Sequence, residues 1–279
     1  MINRTMNFFW EGGKLSWMRY MTIRSFCHYN PDWTVRLWQS EGTTALGANS
    51  WNSREKQDFF TYDGIDYITE LDMLSVERKI MDIPELRRHN KFSKFTPVHL
   101  SDLFRWWLLR EESGWYADMD ILWTAPMVDC QKELAICQTR GHMAIGLLGS
   151  GGDNKFYGDV FQLALVRAKN GDYQSAGTKT IHELLTGVKN QTLISNVFHL
   201  IRLRYGDIVE DLPEKTVYPW YYTEMAQVFT SFSKILPQTV GIHWYGGTDL
   251  AQEYNALLMG PQSSVHNTFM RYAAKVYHD

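Results

Sequence analysis

The first 38 residues constrain the fold most, because the spacing of their apolar side chains changes twice within a short stretch. Residues 6–10 form a short apolar run, residues 14–29 place apolar side chains at helical spacing, and residues 33–38 alternate as a strand does. Pro31 breaks the helix before the second strand begins. A strand, a helix and a second strand in this order predict a βαβ unit with parallel strands, and therefore an α/β fold.

Composition and charge narrow the class of protein. The 279 residues are 44% hydrophobic and 14% aromatic, which is ample for the core of one large domain. A net charge of −3 and a pI near 6.3 argue against nucleic acid or an anionic membrane surface as a partner. The three cysteines lack metal-ligand spacing, residues 1–5 lack an apolar leader, and no run of about 18 apolar residues occurs. We therefore expect a cytoplasmic protein without a transmembrane segment.

The charged side chains best suited to chemistry lie in residues 96–123. Thr96 is a favourable N-cap and Gly114 can end a helix, so residues 97–112 are predicted to be helical. A short buried strand is predicted to follow over residues 115–120. The end of that strand would lie close to the polar residues of the helix.

Two charged pairs stand out in this segment. Asp102 and Arg105 are three residues apart and share a helix face, where they form either a surface ion pair or a ligand-binding pair. Asp118 and Asp120 flank Met119, so on an extended backbone their Cα atoms lie about 6.6 Å apart with both carboxylates on one side. Chance alone gives about three such triplets, and a solvated turn is the alternative; the apolar neighbours favour a functional pair. Hard oxygen donors select Mg²⁺ or Mn²⁺, and we expect Asp120 to bind the ion directly and Asp118 through water or a second oxygen.

The spacing of these residues resembles that of a known family. The pattern Ser101-Asp102-x-x-Arg105, followed by Gly114-x-Tyr116-x-Asp118-x-Asp120, is similar to the sugar-binding region of DXD-containing glycosyltransferases. That group includes yeast-type mannosyltransferases, bacterial capsule enzymes and the clostridial glucosylating toxins. Residues 8–13, FFWEGG, and residues 30–33, NPDW, resemble its opening strand and the turn that follows. The resemblance covers residues 5–40 and 96–125.

The resemblance implies a GT-A-type α/β fold, with a single Rossmann-like, mostly parallel sheet flanked by helices. It implies one domain over residues 1–279, with a nucleotide-binding part at about 1–125 and an acceptor-side part at about 126–279. The expected reaction is a metal-dependent, retaining hexosyl transfer that uses Mn²⁺ or Mg²⁺. The expected partners are a nucleotide-sugar donor, UDP-sugar more than GDP-sugar, and a saccharide or other hydroxyl acceptor, as in polysaccharide biosynthesis.

The resemblance also implies roles for individual residues. Trp10 ends the first predicted strand, where the group's matching tryptophan stacks on the base, although position alone favours a core aromatic. His243 lies in a strand pattern at residues 239–245 and resembles a terminal histidine element whose Ser-Trp is missing here; a structural histidine is the alternative. We expect donor contacts from Phe9, Trp10, Gly12, Asp102, Arg105, Asp118, His243 and, in an aromatic lid, Trp244; metal ligation by Asp120, Asp118 and His243; and catalytic roles for Asp118, Asp120 and Arg105.

For two further stretches the sequence predicts structure but no function. Residues 40–95 are predicted to be a variable elaboration with charged helical stretches near 75–90, and the basic cluster at 87–91 is assigned no role. Residues 149–152, GSGG, are predicted to form a flexible loop before a helix at 155–169.

Two other functions remain open at this point. A metal-dependent nucleotide-sugar hydrolase needs the same metal and diphosphate contacts, together with a further carboxylate to activate water. A non-catalytic nucleotide-sugar-binding protein is less consistent with the presence of both aspartates. Product analysis with and without acceptors separates these alternatives from sugar transfer.

Overall fold

A computed structural model describes most of the chain, namely residues 1–11, 13–40, 62–87, 95–168, 174–191, 193, 196–258, 260–261 and 265–277. Nine strands lie in these ranges: β1 Thr5–Phe9, β2 Thr34–Ser40, β3 Glu77–Met81, β4 Ser113–Ala117, β5 Ile121–Trp123, β6 Leu134–Thr139, β7 His142–Gly151, β8 Val209–Leu212 and β9 Gly241–His243. The helices described are α1 Trp17–Tyr29, α2 Pro84–Arg87, α3 Pro97–Glu111, α4 Lys155–Arg167, α5 Thr178–Thr186, α6 Val197–Tyr205, α7 Ala226–Phe229, α8 Asp249–Leu257 and α9 Thr268–Tyr277.

Seven of the strands form one mixed sheet in the order β3-β2-β1-β4-β7-β6-β8. Its first four strands run parallel, whereas β7 is antiparallel to both of its neighbours, β4 and β6, and β8 is parallel to β6. The predicted βαβ opening and the mixed, mostly parallel sheet are therefore confirmed. Beside this sheet, β5 and β9 form a two-stranded antiparallel ladder that the sequence did not predict.

Helices cover both faces of the main sheet, because successive side chains of a strand point to opposite faces. Phe8 in β1 packs edge-to-face on Phe26 of α1, with ring centroids 6.0 Å apart. Its neighbour Phe9 stacks on Phe104 of α3 from the other face, at 5.0 Å. Two apolar cores result, one beneath α1 and α9 and the other beneath α3 and α4.

Three boundary predictions are wrong for identifiable reasons. The GSGG segment is not a loop up to residue 151, because β7 continues to Gly151 and is paired there with Ser113. Residues 77–81 are a strand rather than a helix, because they pair in parallel register with β2, and this tertiary pairing overrides local propensity. Helix α3 ends at Glu111 with Glu112 extended, so Gly114 already lies in β4 instead of capping the helix.

Some predicted features fall outside the described residues. These are most of the variable elaboration, residues 41–61, and the basic cluster from residue 88 onward. Within the described ranges, none of the helices has the length and apolar composition needed to cross a bilayer.

Candidate active site

A cavity opens at the carboxyl ends of β1 and β4, the edge where open α/β sheets bind ligands. Phe9, the last residue of β1, and Trp10, which follows it, line this cavity, and so do Asp118 and Asp120 in the turn after β4. The cavity is also lined by α3, by the start of α5 and by the segment after β9, through Ser101, Asp102, Arg105, Gly177, Thr178, His243, Tyr245, Gly246 and Gly247.

Asp118 and Asp120 lie on a turn rather than on extended backbone, because β4 ends at Ala117. The Asp118 amide donates to the carbonyl of Gly146 at 2.8 Å, which anchors the start of the turn to β7. The amide of Gly246 donates to Oδ2 of Asp120 at 2.7 Å. The bend brings the two carboxylates closer to a common point than an extended backbone would.

His243 joins the two carboxylates because β9 pairs with β5 in a register that sets His243 opposite Ile121. Its Nε2 atom lies 3.3 Å from Oδ1 of Asp120 and 3.9 Å from Oδ2 of Asp118. One potential ligand atom from each of the three residues lies within 4.8 Å of the others. We call Asp118, Asp120 and His243 the histidine corner.

The histidine corner fits a divalent ion of the Mg²⁺ or Mn²⁺ class. Two carboxylates and one imidazole are a donor set that Mn²⁺ accepts readily and Mg²⁺ accepts less well. Room for a ligand exists because β7 has a glycine here: a Cβ atom on Gly146 would lie 2.8 Å from Oδ2 of Asp118 and 3.0 Å from Nε2 of His243. In the described conformation Nε2 of His243 faces the carboxylates, while Nδ1 accepts from the amide of Tyr245 at 3.3 Å. Nε2 then carries the proton of the neutral ring, so an ion at Nε2 requires the other tautomer.

Arg105 is the centre of a second polar group on the α3 side of the cavity. Its Nε donates to the carbonyl of Ser101 and its Nη1 to the carbonyl of Ile145 at 2.7 Å, and Nη1 also lies 3.1 Å from Oδ1 of Asp118. Its Nη2 donates to Oγ of Ser101 at 2.9 Å and lies 3.2 Å from Oδ1 of Asp102. Each of the three guanidinium nitrogens thus donates to a protein acceptor, two of them also pair with a carboxylate, and the side chain is only 5% exposed.

Tyr116 completes this group, which we call the arginine network: Ser101, Asp102, Arg105 and Tyr116. The guanidinium lies 4.6 Å from the centroid of the Tyr116 ring, and the Tyr116 hydroxyl lies 2.9 Å from both Oγ of Ser101 and Oδ1 of Asp118. Burial works against protonation of Arg105, but its interactions with Asp118, Tyr116 and Asp102 outweigh burial and raise its pKa. The network is therefore built around a permanent positive charge.

The two carboxyls next to Arg105 respond differently to the same guanidinium. Burial raises the pKa of Asp102 to about 7, because the attraction of Arg105 offsets burial only in part and the charge of Asp118 adds to it. Burial also opposes ionisation of Asp118, but Arg105, the nearby imidazole of His243 and a hydrogen bond from Tyr116 hold its pKa below the ordinary value. The difference arises from those additional donors, since the two carboxyls lie at nearly the same distance from Arg105.

Arg19 is a cavity-lining cation that the sequence did not single out. Its guanidinium lies over the rings of Trp10, at 4.8 Å, and Trp244, at 5.4 Å, and the residue is 5% exposed. A cation held between two aromatic rings keeps its orientation. The signal in the sequence was a basic residue inside the apolar stretch that became the first turns of α1.

The structure brings together most of the residues predicted from sequence, with two exceptions. Trp244 does not line the cavity: it is fully buried, packs edge-to-face on Phe269 and cannot be part of a lid in this arrangement. Gly12 lies outside the described residues. Sequence reasoning missed Arg19, and it placed Tyr245 and Gly246 only in the aromatic lid expected beside His243. Tyr245 has a left-handed backbone (φ 45°), a conformation uncommon for a bulky residue. The predicted residues that line the cavity are Phe9, Trp10, Asp102, Arg105, Asp118, Asp120 and His243.

Comparison with known families agrees with this geometry. Residues 17–139, which include α3 and the turn after β4, match the family described as "Glycosyltransferase sugar-binding region containing DXD motif". Residues 17–139 are thus similar to a DXD-containing glycosyltransferase sugar-binding region. This sugar-binding region carries Asp102, Arg105, Asp118 and Asp120, whereas Trp10 and His243 lie outside it. A comparison with curated protein sequences gave no match.

Solved structures similar to the chain are glycosyltransferases. The structure described as "PaToxG Glycosyltransferase" is 15% identical over 67% of this chain and 68% of its own, with a TM-score of 0.51, a likeness that shows the fold. The glycosyltransferase GlyE of Streptococcus pneumoniae TIGR4 is 11% identical over 98% of this chain, which spans 60% of GlyE, with a TM-score of 0.49. The galactosyltransferase LgtC, in complex with donor and acceptor sugar analogues, is 10% identical over 98% of this chain and 96% of its own, with a TM-score of 0.40. The GT-A-type α/β fold predicted around the sugar-binding region is confirmed.

Proposed function

We propose that this chain is a metal-dependent, retaining glycosyltransferase that moves a hexose from a nucleoside diphosphate sugar, most favourably a UDP-sugar, to a hydroxyl of a saccharide acceptor. The observation that carries the proposal is the meeting of Asp118, Asp120 and His243 at a cavity that the sugar-binding region lines in part. The three residues come from two distant parts of the chain, and their convergence supports a binding role over a solvated turn.

The histidine corner would hold Mn²⁺ or Mg²⁺. When bound there, such an ion supplies a positive charge to the diphosphate, which becomes the leaving group as the sugar–phosphate bond breaks. Asp120 is fixed for this task by the amide of Gly246, and Asp118 by Tyr116 and Arg105.

Arg19 would bind the diphosphate of the nucleotide, and Trp10 would bind its base. Arg19 is a fixed cation in the wall of the cavity, so it is suited to the negative charge of a diphosphate. Trp10 would stack on the base, as the resemblance implies; since Arg19 lies over its ring, the base uses the opposite ring face or moves Arg19 aside.

Asp102 would accept hydrogen bonds from sugar hydroxyls. It is buried against the N-terminus of α5, where a Cβ atom on Gly177 would lie 2.9 Å from its Oδ2. Arg105 would act in a different way from the one predicted from sequence. Because each of its nitrogens already donates to a protein acceptor and two of them pair with Asp102 and Asp118, it would orient these carboxyls instead of contacting the sugar.

The deciding experiment measures Mn²⁺ binding by calorimetry, and sugar transfer from UDP-sugars, in the unmodified protein and in Asp120→Asn. We expect Asp120→Asn to lower Mn²⁺ affinity and turnover by more than about 100-fold, because a ligand matters more than the outer partners that cost about 10–100-fold. Asp207→Asn removes an exposed carboxylate paired with Lys132 and is the matched control. Undiminished donor binding and turnover in EDTA would contradict the metal assignment.

Product analysis separates transfer from hydrolysis. With a saccharide acceptor present, we expect a glycosylated acceptor whose anomeric configuration is that of the donor. Release of free sugar at the same rate with and without every acceptor tested would favour the hydrolase instead.

A further inference from the structure

Tyr218 carries a buried hydroxyl that the arrangement described so far does not use. The residue is 3% exposed, and its hydroxyl has no hydrogen-bond partner among the residues that the structure describes. Burying a hydroxyl without a partner costs free energy, so such groups in native proteins usually have a water, an ion or a ligand as a partner. The position of this hydroxyl therefore needs an explanation.

The hydroxyl of Tyr218 points to the histidine corner. A Cβ atom on Gly146 would lie 2.8 Å from it, at the same point that is 2.8 Å from Oδ2 of Asp118 and 3.0 Å from Nε2 of His243. The ring of Tyr218 packs against the imidazole of His243, with centroids 5.1 Å apart and planes at 35°. The amide of His243 donates to the carbonyl of Val217 at 2.8 Å, so the backbone fixes the two side chains next to each other.

Asp118 shows why this hydroxyl differs from that of Tyr116. Oδ1 of Asp118 faces the arginine network, where the hydroxyl of Tyr116 and Nη1 of Arg105 both contact it. Oδ2 faces the other way, toward the point next to Gly146 that it shares with Tyr218 and His243. Each oxygen of Asp118 thus has a tyrosine on its side, and only Tyr116 is bonded to a protein partner.

We propose that Tyr218 is a positioning residue of the divalent-ion site: its hydroxyl hydrogen-bonds a water molecule of the ion's coordination shell, next to Gly146 and between Asp118 and His243. This rests on the proposed function, in which the histidine corner holds the ion. A tyrosine hydroxyl can donate or accept, so it suits a water molecule in either orientation. Outer partners of this kind change metal affinity by about 10–100-fold when removed.

The proposal predicts that Tyr218→Phe does not lower the melting temperature of the ion-free protein but does lower its affinity for the ion. Without the ion, the hydroxyl makes no stabilising bond to protein, so Tyr218→Phe leaves the melting temperature unchanged or raises it. With the ion, Tyr218→Phe loses a hydrogen bond, so Mn²⁺ affinity falls by about tenfold or more. A merely structural tyrosine would show neither pattern.

The test measures binding of Mn²⁺ alone by electron paramagnetic resonance and calorimetry, and thermal unfolding in EDTA, for the full chain, Tyr218→Phe and Tyr157→Phe. Tyr157 is the matched control, because it is also fully buried but its hydroxyl donates to the carbonyl of Gly149 at 3.2 Å. We expect Tyr157→Phe to lower the melting temperature and to leave Mn²⁺ affinity unchanged.

Each other result has a defined meaning. Unchanged Mn²⁺ affinity in Tyr218→Phe overturns the inference and leaves the proposed function standing. A melting temperature in EDTA that falls as far as that of Tyr157→Phe, or a failure of Tyr218→Phe to fold, also overturns it, because the hydroxyl would then have a protein partner. Absence of Mn²⁺ binding in the unmodified chain would instead contradict the ion assignment of the proposed function, and the inference with it.

Discussion

The arginine network and the histidine corner border the same cavity and share Asp118, yet their polar groups are used in different ways. In the arginine network every nitrogen of Arg105 donates to a protein acceptor, and the Tyr116 hydroxyl lies between Ser101 and Asp118. In the histidine corner the ligand atoms of three residues converge, and the nearby Tyr218 hydroxyl has no partner in the described part of the chain.

The difference indicates that the arginine network and the histidine corner have different roles. A buried network whose polar groups are bonded to one another is costly to disturb and holds its members in one geometry, whereas three ligand atoms that converge beside an unbonded buried hydroxyl, within the described part of the chain, suit a ligand. Asp118 belongs to both, with Oδ1 in the network and Oδ2 at the corner. The network should therefore matter first for stability, and the corner first for binding.

The largest expected effect tests the network. Arg105→Ala should lower the free energy of unfolding by about 3–5 kcal/mol, because it leaves buried carboxyls without their cation. Chemical denaturation measures this, and Arg140→Ala, which removes a half-exposed arginine paired with Glu224, should cost at most about 1 kcal/mol. If Arg105→Ala were as stable as Arg140→Ala and lost only turnover, Arg105 would contact the sugar, as the sequence suggested, and the comparison would fail.

A substitution in the wall of the histidine corner tests its binding role. Gly146→Ala should lower Mn²⁺ affinity by about 100-fold, near the upper end for residues next to a metal site, because the new Cβ atom would lie within 3.0 Å of Asp118, Tyr218 and His243. Calorimetry with Mn²⁺ measures the loss.

The matched control for this substitution is Gly158→Ala, in helix α4. There the new Cβ atom meets only Arg110, at an ordinary contact distance of 3.5 Å. We expect it to keep full Mn²⁺ affinity and to raise stability slightly, by about 0.4–1 kcal/mol. Equal Mn²⁺ affinity in the two variants would place the ion away from Gly146.

The smallest effect is expected outside both groups, at Trp10. Stacking on an aromatic ring contributes about 1–3 kcal/mol per base, and because Arg19 covers part of the ring we expect the lower end, so Trp10→Ala should weaken UDP affinity about tenfold. Equilibrium binding in the presence of Mn²⁺ checks this. A folded variant with unchanged UDP affinity would assign Trp10 to the core, as its position alone suggested.

Local patterns in the sequence predicted the parts of the site that depend on local spacing. The three-residue spacing of Asp102 and Arg105 placed them together, and the buried strand before Asp118 placed the carboxylates at its end. The set of protein partners around Arg105 could not be predicted, because one of them is the carbonyl of Ile145, which lies in a strand 40 positions later.

Long-range pairing accounts for the remaining differences. The GSGG segment has the composition of a loop, and only its ladder with β4 and β6 makes it a strand. Small residues are needed there because a Cβ atom on Gly149 would lie 2.7 Å from Ile2 and 3.1 Å from Trp115. The place of His243 opposite Ile121 likewise depends on a strand pair, which no local pattern in the sequence reports.

That strand pair also has a consequence for when the histidine corner is completed during synthesis of the chain. The bond from Gly246 to Asp120 joins residues 126 positions apart, and His243 reaches the carboxylates only when β9 has paired with β5. A ribosome that has completed the sugar-binding region has therefore made both carboxylates but not the third member of the corner. Because such non-local pairing forms late in folding, the nascent chain cannot assemble all three residues of the corner until β9 has emerged and docked.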